Sequence, residues 1–270
     1  MDARKSTELK QIVKEHYTEI VEKSEQNSAS TCCGSACGCS SDVDVMVEDY
    51  SHVKGYVKEA DLALGCGIPT EFANIKAGDT VIDLGSGAGN DCFVARSIVG
   101  ESGKIIGLDM TEKMIAKANA NNAKLGFSNV KFVLGDIESM PIESNTADVV
   151  VSNCVLNLVP DKRKAFAEMF RVIKSGGHFT VSDIVLEGNL PEALKEVAVM
   201  YAGCVSGAIQ KNEYLALLGE AGFRNVKVVK SRTTNLPDDM LLQYVSPKVI
   251  QEYKDSGAGI FSITVYGEKS

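Results

Sequence analysis

Cysteine is the residue type that offers the most specific chemistry in this chain of 270 residues. Four of its eight cysteines lie within one short stretch: Cys32, Cys33, Cys37 and Cys39. The other four are isolated in the sequence: Cys66, Cys92, Cys154 and Cys204. Thiolates bind soft, thiophilic centres, whereas histidine, a common general base, occurs only three times. The N-terminal segment MDARKSTELK lacks the apolar core of a secretion signal, so we expect reduced thiols and a cytoplasmic location.

The four clustered cysteines lie in a loop over residues 27–41 that is rich in Ser, Gly and Ala and has no apolar periodicity. Their spacing, C-C-x3-C-x-C, differs from the paired C-x2-C motifs of structural zinc sites. Three interpretations stay open for this cluster: a redox or soft-metalloid role, an incidental loop, and a zinc site.

The stretch Val81–Cys92, with the sequence VIDLGSGAGNDC, carries the second chemical signal. It predicts a buried strand, a turn of three glycines whose backbone N–H groups a ligand can approach, and the start of a helix. Asn90 stands where a nicotinamide-binding GxGxxG motif requires glycine. The spacing D-x-G-x-G-x-G, which begins at Asp83, resembles the first motif of class I S-adenosylmethionine methyltransferases.

Alternating strands and helices must position these residues. Strands are predicted over 80–84, 104–109, 130–134, 147–153, 178–185, 225–231 and 260–266. Helices are predicted over 5–26, 54–64, 90–99, 112–125, 161–174 and 191–221, the last broken near 204–207. A short helical insert is predicted around 237–244 and 247–254. The alternation predicts an α/β doubly wound, mostly parallel sheet that binds ligands outside the carboxyl ends of its strands. The class I methyltransferase resemblance implies seven strands, the last of them antiparallel.

We expect three regions along the chain. Residues 1–64 form an N-terminal helix and a Cys-rich lid, 65–187 form the cofactor-binding core, and 188–270 form a small C-terminal cap with the last strands of the sheet. The apolar periodicity of the first helix fits a lid and fits equally a helix with no role at the site. The net charge of -8 argues against nucleic acid as the main partner, and no apolar run of 18 residues predicts a membrane span.

Polar residues follow the predicted strands in the order that a nucleoside-containing cofactor needs. Asp109 closes the second strand, 20 residues beyond Gly89, where an acid accepts hydrogen bonds from ribose hydroxyls. In class I methyltransferases an acid at the place of Asp136 binds the adenine amino group, and Asn153 stands where family members contact the methionine end. The resemblance implies an S-adenosylmethionine site formed by Asp83, Gly85, Ser86, Gly87, Gly89, Asp109, Met110, Gly135, Asp136, Ile137 and Asn153.

Three of the isolated cysteines are predicted to face one small space. Cys154 follows the fourth strand directly, and Cys204 lies in a break between helices that roof the substrate pocket. Cys66 lies between two glycines just before the first strand, which favours exposure toward a cleft over core filling. Cys92, in the first turn of the helix after the glycine loop, is predicted to pack as part of the core.

Trivalent arsenic is a soft centre that takes three sulfur ligands in a pyramid and keeps a lone pair that can attack a sulfonium methyl group. Four segments of the chain resemble arsenite methyltransferases, namely VIDLGSGAGNDC, IIGLDMT, VVSNCVLNLVPDK and YAGCVSGAI. The resemblance runs from about Gly65 to Phe223. It includes the cysteine at position 154, which the related quinone methyltransferases lack.

This resemblance implies roles for individual thiols. Cys154 and Cys204 would bind As(III), with Cys66 as a third ligand and a disulfide partner. One further N-terminal cysteine would form a disulfide during turnover, and Cys32 and Cys33 are the candidates. The expected substrates are arsenite or its thiol complexes. Thioredoxin or glutathione would reduce the disulfide. The protein is expected to be a monomer.

Some positions depart from the family pattern. Asn90 and Leu64 stand where members often have arginine and tyrosine, and the region after about Arg232 is shorter than in many members. Two alternatives remain. One is a carbon methyltransferase that acts on a quinone or sterol-like substrate in a large apolar pocket. The other is a non-catalytic sensor or buffer of soft metals that keeps S-adenosylmethionine as a structural ligand.

Overall fold

A seven-stranded sheet forms the centre of the protein. The computed structural model describes residues 3–29, 48–190, 205, 207–234, 238–242 and 245–270. The strands are β1 Thr80–Leu84, β2 Lys104–Asp109, β3 Val130–Leu134, β4 Ala147–Asn153, β5 Ile173–Glu187, β6 Arg224–Thr234 and β7 Gly259–Glu268. Their order is β3-β2-β1-β4-β5-β7-β6. Strands β1 to β5 run parallel, and β7 lies antiparallel to both of its neighbours, which confirms the predicted doubly wound fold.

Helices cover both faces of this sheet. The described α-helices are α1 Ala3–Ala29, α2 Asn90–Val99, α3 Glu112–Leu125, α4 Lys162–Val172, α5 Lys211–Glu220, α6 Asp238–Leu241 and α7 Pro247–Ser256. Neighbouring residues of a strand point to opposite faces, so Val81 packs with α2 and α3 while Ile82 packs with α4 and α5. Within the ranges given above, no helix has the length and apolar character needed to cross a bilayer.

Most predicted element boundaries agree with the structure, but β5 is longer than expected. It begins at Ile173, directly after α4, because Ile173 already pairs with Ala147 of β4. The predicted helix over 161–174 therefore ends at Val172. About half of the predicted helix over 191–221 lies outside the described residues, and its described helical part is α5.

The helix predicted over 54–64 is wrong. Only Lys58–Ala60 forms a short turn of 3-10 helix. Gly55 and Ala63 have φ angles of 89° and 55°, in the left-handed region that an α-helix excludes. The carboxylate of Asp61 accepts a hydrogen bond from the backbone N–H of Ala63 at 2.9 Å, a local turn that competes with helical hydrogen bonding. This segment therefore approaches the sheet as a series of turns.

Candidate functional site

A cavity lies at the carboxyl ends of β1 to β4 and contains about 1110 Å³ of space, its open mouth included. This is the position at which doubly wound sheets bind ligands. Most of the residues that the sequence assigned to the cofactor line it: Asp83, Gly85, Ser86, Gly87, Asp109, Met110, Gly135, Asp136, Ile137 and Asn153. Gly89 does not line the cavity; it caps the N-terminus of α2 with a φ of 101°.

The glycine loop bends back onto β2. The backbone N–H groups of Gly85 and Ser86 both donate to the carbonyl oxygen of Leu108, at 2.7 and 2.9 Å. Gly87 has a φ of 52°, and a Cβ atom added there would meet nothing closer than the Met114 sulfur at 3.9 Å. The loop therefore leaves open space above its backbone, as the approach of a ligand requires.

Asp109 holds this loop in place from the end of β2. One carboxylate oxygen accepts a hydrogen bond from the Gly87 N–H at 3.0 Å, and the other accepts one from the Thr111 N–H at 2.8 Å. Burial raises the pKa of Asp109 above its ordinary value, and these backbone donors partly offset that effect. Asp109 thus organises the loop as well as facing the cavity.

Two further carboxylates, Asp83 and Asp91, are buried at the cavity wall. Burial and the charge of Asp91 hold the pKa of Asp83 well above its ordinary value, and burial raises the pKa of Asp91 to about 6. No lysine or arginine among the described residues forms an ion pair with either of them. A cationic ligand would supply the missing positive charge, so this wall fits the sulfonium and ammonium groups of S-adenosylmethionine.

Two buried polar atoms at the cavity also lack a partner. None of the described residues forms a hydrogen bond with the Ser86 hydroxyl or with the Asn90 side-chain oxygen. Buried polar groups are normally paired, so an unpaired donor and acceptor beside a cavity are explained by a polar ligand. The residues present therefore fit S-adenosylmethionine in charge and in hydrogen-bonding capacity.

Helix α1 lies across the mouth of the cavity, to which it contributes Lys10, Val13 and Tyr17. The Lys10 ammonium contacts Asp136 at 2.6 Å and Glu138 at 2.7 Å. Burial lowers the pKa of Lys10, but hydrogen bonds and charges from the two acids outweigh burial and raise it above its ordinary value. Asp136, whose side chain is 40% exposed, therefore binds the helix in this structure.

We expect the variant Lys10→Gln to loosen α1. Partly exposed ion pairs contribute about 0.2–1 kcal/mol each, so loss of both pairs should make amide hydrogen exchange in α1 roughly two- to thirtyfold faster. High ionic strength should reduce the difference between variant and parent, because salt screens the pairs only in the parent. Equal exchange rates at low ionic strength would show that the ion pairs do not hold the helix.

Cys66 and Cys154 belong to one buried apolar cluster, which also includes Ile184 and Leu241. Cys154 also lines the cavity. It has a φ of 60° and its N–H donates to the Ser182 carbonyl oxygen at 2.7 Å, so a strained backbone fixes its place at the end of β4. The structure thus brings two thiols that are distant in sequence into one cluster, and one of them, Cys154, reaches the cofactor cavity.

The predicted exposure of Cys66 toward a cleft is wrong, since the residue is only 1% exposed. Its flanking glycines admit close neighbours instead of solvent. A Cβ atom at Gly65 would lie 2.5 Å from the Asn153 side-chain nitrogen, and one at Gly67 would lie 2.5 Å from the Ser182 hydroxyl. The predicted burial of Cys92 is confirmed, and its thiol donates to Asp83 at 3.3 Å.

Three predicted thiols, Cys32, Cys33 and Cys204, lie outside the described residues. Val205, the residue after Cys204, belongs to the same apolar cluster as Cys66 and Cys154. Among the described residues, no three His, Cys, Asp or Glu side chains converge to hold a metal ion. The described part of the chain therefore supplies two of the three thiols assigned to arsenic.

A buried pair, Asp183 and Tyr214, lies near the two thiols, and the Tyr214 hydroxyl donates to Asp183 at 3.0 Å. Burial raises the pKa of Asp183 to about 7, although Tyr214 and the charge of Lys162 lower it. Burial and the Asp183 carboxylate hold the pKa of Tyr214 well above its ordinary value, and negative charge on Cys66 or Cys154 acts in the same direction. The sequence analysis did not identify this pair. Its only indication in the sequence is Asp183, an acid within the apolar run of β5.

The carboxyl of Asp183 should make the protein less stable as the pH rises. Its pKa is higher in the folded protein than in the unfolded chain, so the folded state holds the extra proton between about pH 4 and pH 7. In Asp183→Asn an amide oxygen still accepts from Tyr214 but does not ionise. Relative to the parent, the variant should gain about 2–3 kcal/mol in unfolding free energy from about pH 5 to pH 8. Parallel stability curves from denaturant titrations over this range would contradict the assignment.

A family model of known proteins matches the part of the chain that forms most of the cavity. Residues 75–222 match the family model described as a methyltransferase domain. This span includes the glycine loop, Asp109 and the strand ends that line the cavity. The protein is therefore a class I methyltransferase, with S-adenosylmethionine as its methyl donor.

Individual relatives identify the family of methyltransferases more narrowly. The chain is 36% identical to an arsenite methyltransferase of Halobacterium salinarum, over 98% of this chain and 68% of the relative. It is 33% identical to human arsenite methyltransferase, over 87% of this chain and 63% of the relative. An arsenic(III) S-adenosylmethionine methyltransferase from Chlamydomonas reinhardtii has a similar crystal structure, with a TM-score of 0.64 and 30% identity over 84% of this chain and 73% of that one. The chain belongs to the arsenite methyltransferase family.

Proposed function

We propose that this protein transfers the methyl group of S-adenosylmethionine to trivalent arsenic held by cysteine thiolates, and so converts arsenite to methylated arsenicals for detoxification. The observation that carries the proposal is the position of Cys66 and Cys154 in one buried cluster, with Cys154 also at the wall of the cofactor cavity. Sulfur ligands suit a soft metalloid, and the apolar surroundings protect the bound substrate from water. Its relatives from Halobacterium salinarum and human are named arsenite methyltransferases, which supports arsenite as the substrate.

Arsenic would enter by ligand exchange. Arsenite or its complex with a small thiol would bind Cys66, Cys154 and Cys204, each new As–S bond releasing water or a small thiol. The protons leave with these groups, so exchange needs no dedicated base. The protein's contribution is to hold the arsenic in one place and orientation beside the cofactor cavity.

S-adenosylmethionine supplies an electrophilic methyl group on a positively charged sulfur. The arsenic lone pair would take that methyl group, and the bond from the methyl carbon to the sulfonium would break. Asp83 and Asp91 would hold the cationic cofactor, and Cys154 would hold the arsenic against the same wall. No proton moves in this step, so it needs no general base.

Methylation by this route oxidises the arsenic from the trivalent to the pentavalent state. The thiolate of an N-terminal cysteine would then attack the sulfur of Cys66 and form a disulfide with it. The As–S bond to Cys66 breaks, and its electron pair stays on arsenic, which becomes trivalent again. We assign Cys66 to this disulfide, with Cys32 or Cys33 as the other partner. Thioredoxin or glutathione would restore the thiols by thiol–disulfide exchange.

The proposed function is tested by incubating the purified protein with arsenite, S-adenosylmethionine and either thioredoxin or glutathione, followed by separation of arsenic species. We expect methylated arsenicals together with S-adenosylhomocysteine, in amounts that rise with the reductant. If arsenite binds but no methylated arsenic forms with either reductant, the protein acts as a sensor or buffer. If arsenite does not bind and a quinone accepts the methyl group, it is a carbon methyltransferase.

A further inference from the structure

We propose that Asn153 is a positioning residue, which fixes the turn of Cys66 beside Cys154 and connects this turn to the cofactor cavity. The inference rests on the proposed function, because it concerns the thiols assigned to arsenic. Asn153 ends β4 and is followed directly by Cys154. Its side chain therefore starts from the same strand end that carries the second thiol.

The side-chain amide of Asn153 binds the turn of residues 65–67 through three backbone groups. Its oxygen accepts hydrogen bonds from the N–H groups of Cys66 at 3.0 Å and Gly67 at 3.3 Å. Its nitrogen donates to the Gly67 carbonyl oxygen at 2.7 Å. One amide thus satisfies the backbone N–H of Cys66 and both backbone groups of Gly67, which sets the direction in which the Cys66 side chain leaves the backbone.

The same nitrogen reaches the wall of the cofactor cavity. It lies 2.8 Å from the Tyr50 hydroxyl and 3.2 Å from a carboxylate oxygen of Asp91. The Tyr50 hydroxyl in turn donates to Asp91 at 2.8 Å. Tyr50 and Asp91 both line the cavity, so a continuous hydrogen-bonded network joins the cofactor wall to the Cys66 turn.

The turn has little freedom to move away from this amide. The Cys66 carbonyl oxygen accepts a hydrogen bond from the Ser262 hydroxyl at 2.6 Å, so the opposite side of the peptide is held as well. Side chains larger than glycine at positions 65 and 67 would collide with Asn153 and Ser182. Removing the Asn153 amide should therefore leave two buried N–H groups unpaired and let the turn shift relative to Cys154.

A cofactor contact alone does not account for Asn153. The sequence assigned this residue to the methionine end of S-adenosylmethionine, and it does line the cavity. In the structure its oxygen is taken by Cys66 and Gly67, and its two hydrogens are shared among the Gly67 carbonyl, Tyr50 and Asp91. The amide is thus occupied by the turn and by the network that supports it.

The test is a double-mutant cycle on arsenite affinity, measured by equilibrium dialysis with arsenic quantification in the full-length chain. The variants are Asn153→Ala, Cys66→Ser and the two combined. We expect Asn153→Ala to weaken arsenite binding at least tenfold in the parent and to have no further effect once Cys66 is replaced. A residue that merely stabilises the fold would weaken binding equally in both backgrounds.

Asn129→Ala is the matched control. Asn129 also bridges a glycine turn through its amide, donating to the carbonyl oxygens of Gly100 at 2.8 Å and Gly103 at 2.9 Å, but it lies outside the cavity. We expect this variant to leave arsenite affinity unchanged. If Asn153→Ala does not fold, Tyr50→Phe removes one partner of the amide and should give a smaller loss with the same dependence on Cys66.

The outcomes distinguish the proposed function from the positioning role of Asn153. If Cys66→Ser binds arsenite as tightly as the parent, the proposed function fails at Cys66. If Cys66→Ser weakens binding but Asn153→Ala does not, or if Asn153→Ala weakens it regardless of Cys66, the positioning role is overturned.

Discussion

Replacement of Cys154 by serine should reduce arsenite methylation by about a hundredfold or more, because a hydroxyl is a poor ligand for a soft metalloid. Binding of S-adenosylmethionine should be retained, since Asp83, Asp109 and the glycine loop are untouched by the change. The measurement is the rate of methylarsenical formation at saturating arsenite, together with the dissociation constant of S-adenosylhomocysteine. The same change at Cys204 should give the same result.

Cys92→Ser provides the matched control for this experiment. Cys92 is also a buried thiol near the cavity, but it belongs to α2, its sulfur donates to Asp83 of β1, and it lies in a different core cluster from Cys154. A serine hydroxyl can make the same hydrogen bond, so this variant should methylate arsenite nearly as fast as the parent. Full activity in Cys154→Ser, or an equal loss in Cys92→Ser, would contradict the assignment of Cys154 to arsenic.

Replacement of Asp109 by alanine should weaken S-adenosylmethionine binding by about a hundredfold, which corresponds to roughly 3 kcal/mol. Two effects combine in this variant. The backbone N–H groups of Gly87 and Thr111 lose a charged acceptor, and the predicted contact with the ribose hydroxyls is lost. Isothermal titration with S-adenosylhomocysteine measures the change directly, and arsenite binding should stay within a few fold of the parent.

Asp79→Ala is the control for loss of a carboxylate that caps a turn. Asp79 accepts a hydrogen bond from the Lys76 N–H at 2.7 Å, but it lies at the amino end of β1, far from the cavity. This variant should bind the cofactor normally. A loss below threefold in Asp109→Ala would mean that the carboxylate neither organises the glycine loop nor contacts the ligand.

The core of the fold was predictable because local and global signals agree there. The Val and Ile runs of β1 and β4 can be buried only in a covered parallel sheet, and their boundaries agree with the sequence prediction. The segment over 54–64 has a helical apolar pattern, yet Gly55 and Ala63 adopt left-handed conformations that propensity alone does not predict. The start of β5 was missed for a similar reason, since pairing with Ala147 extends the strand to Ile173.

The site was predictable to the level of strand ends, but its internal contacts were not. Asp109 could be assigned from its place after β2, because the carboxyl ends of parallel strands meet at one edge. The hydrogen bonds of Asn153 to the turn of Cys66 join residues that are 87 positions apart, so no local pattern records them. The same holds for Tyr50, a buried partner of Asp91 that no sequence motif indicates.

The order of the strands affects how the protein is made. Strand β7 lies between β5 and β6 but is synthesised after both, so the sheet keeps a gap until residues 259–268 have left the ribosome. Ser262 of this strand supports the Cys66 turn, 196 positions earlier in the chain. Cys66 and Cys154 therefore reach their final arrangement late, and a thiophilic reagent that meets the growing chain meets separated cysteines instead of a paired site.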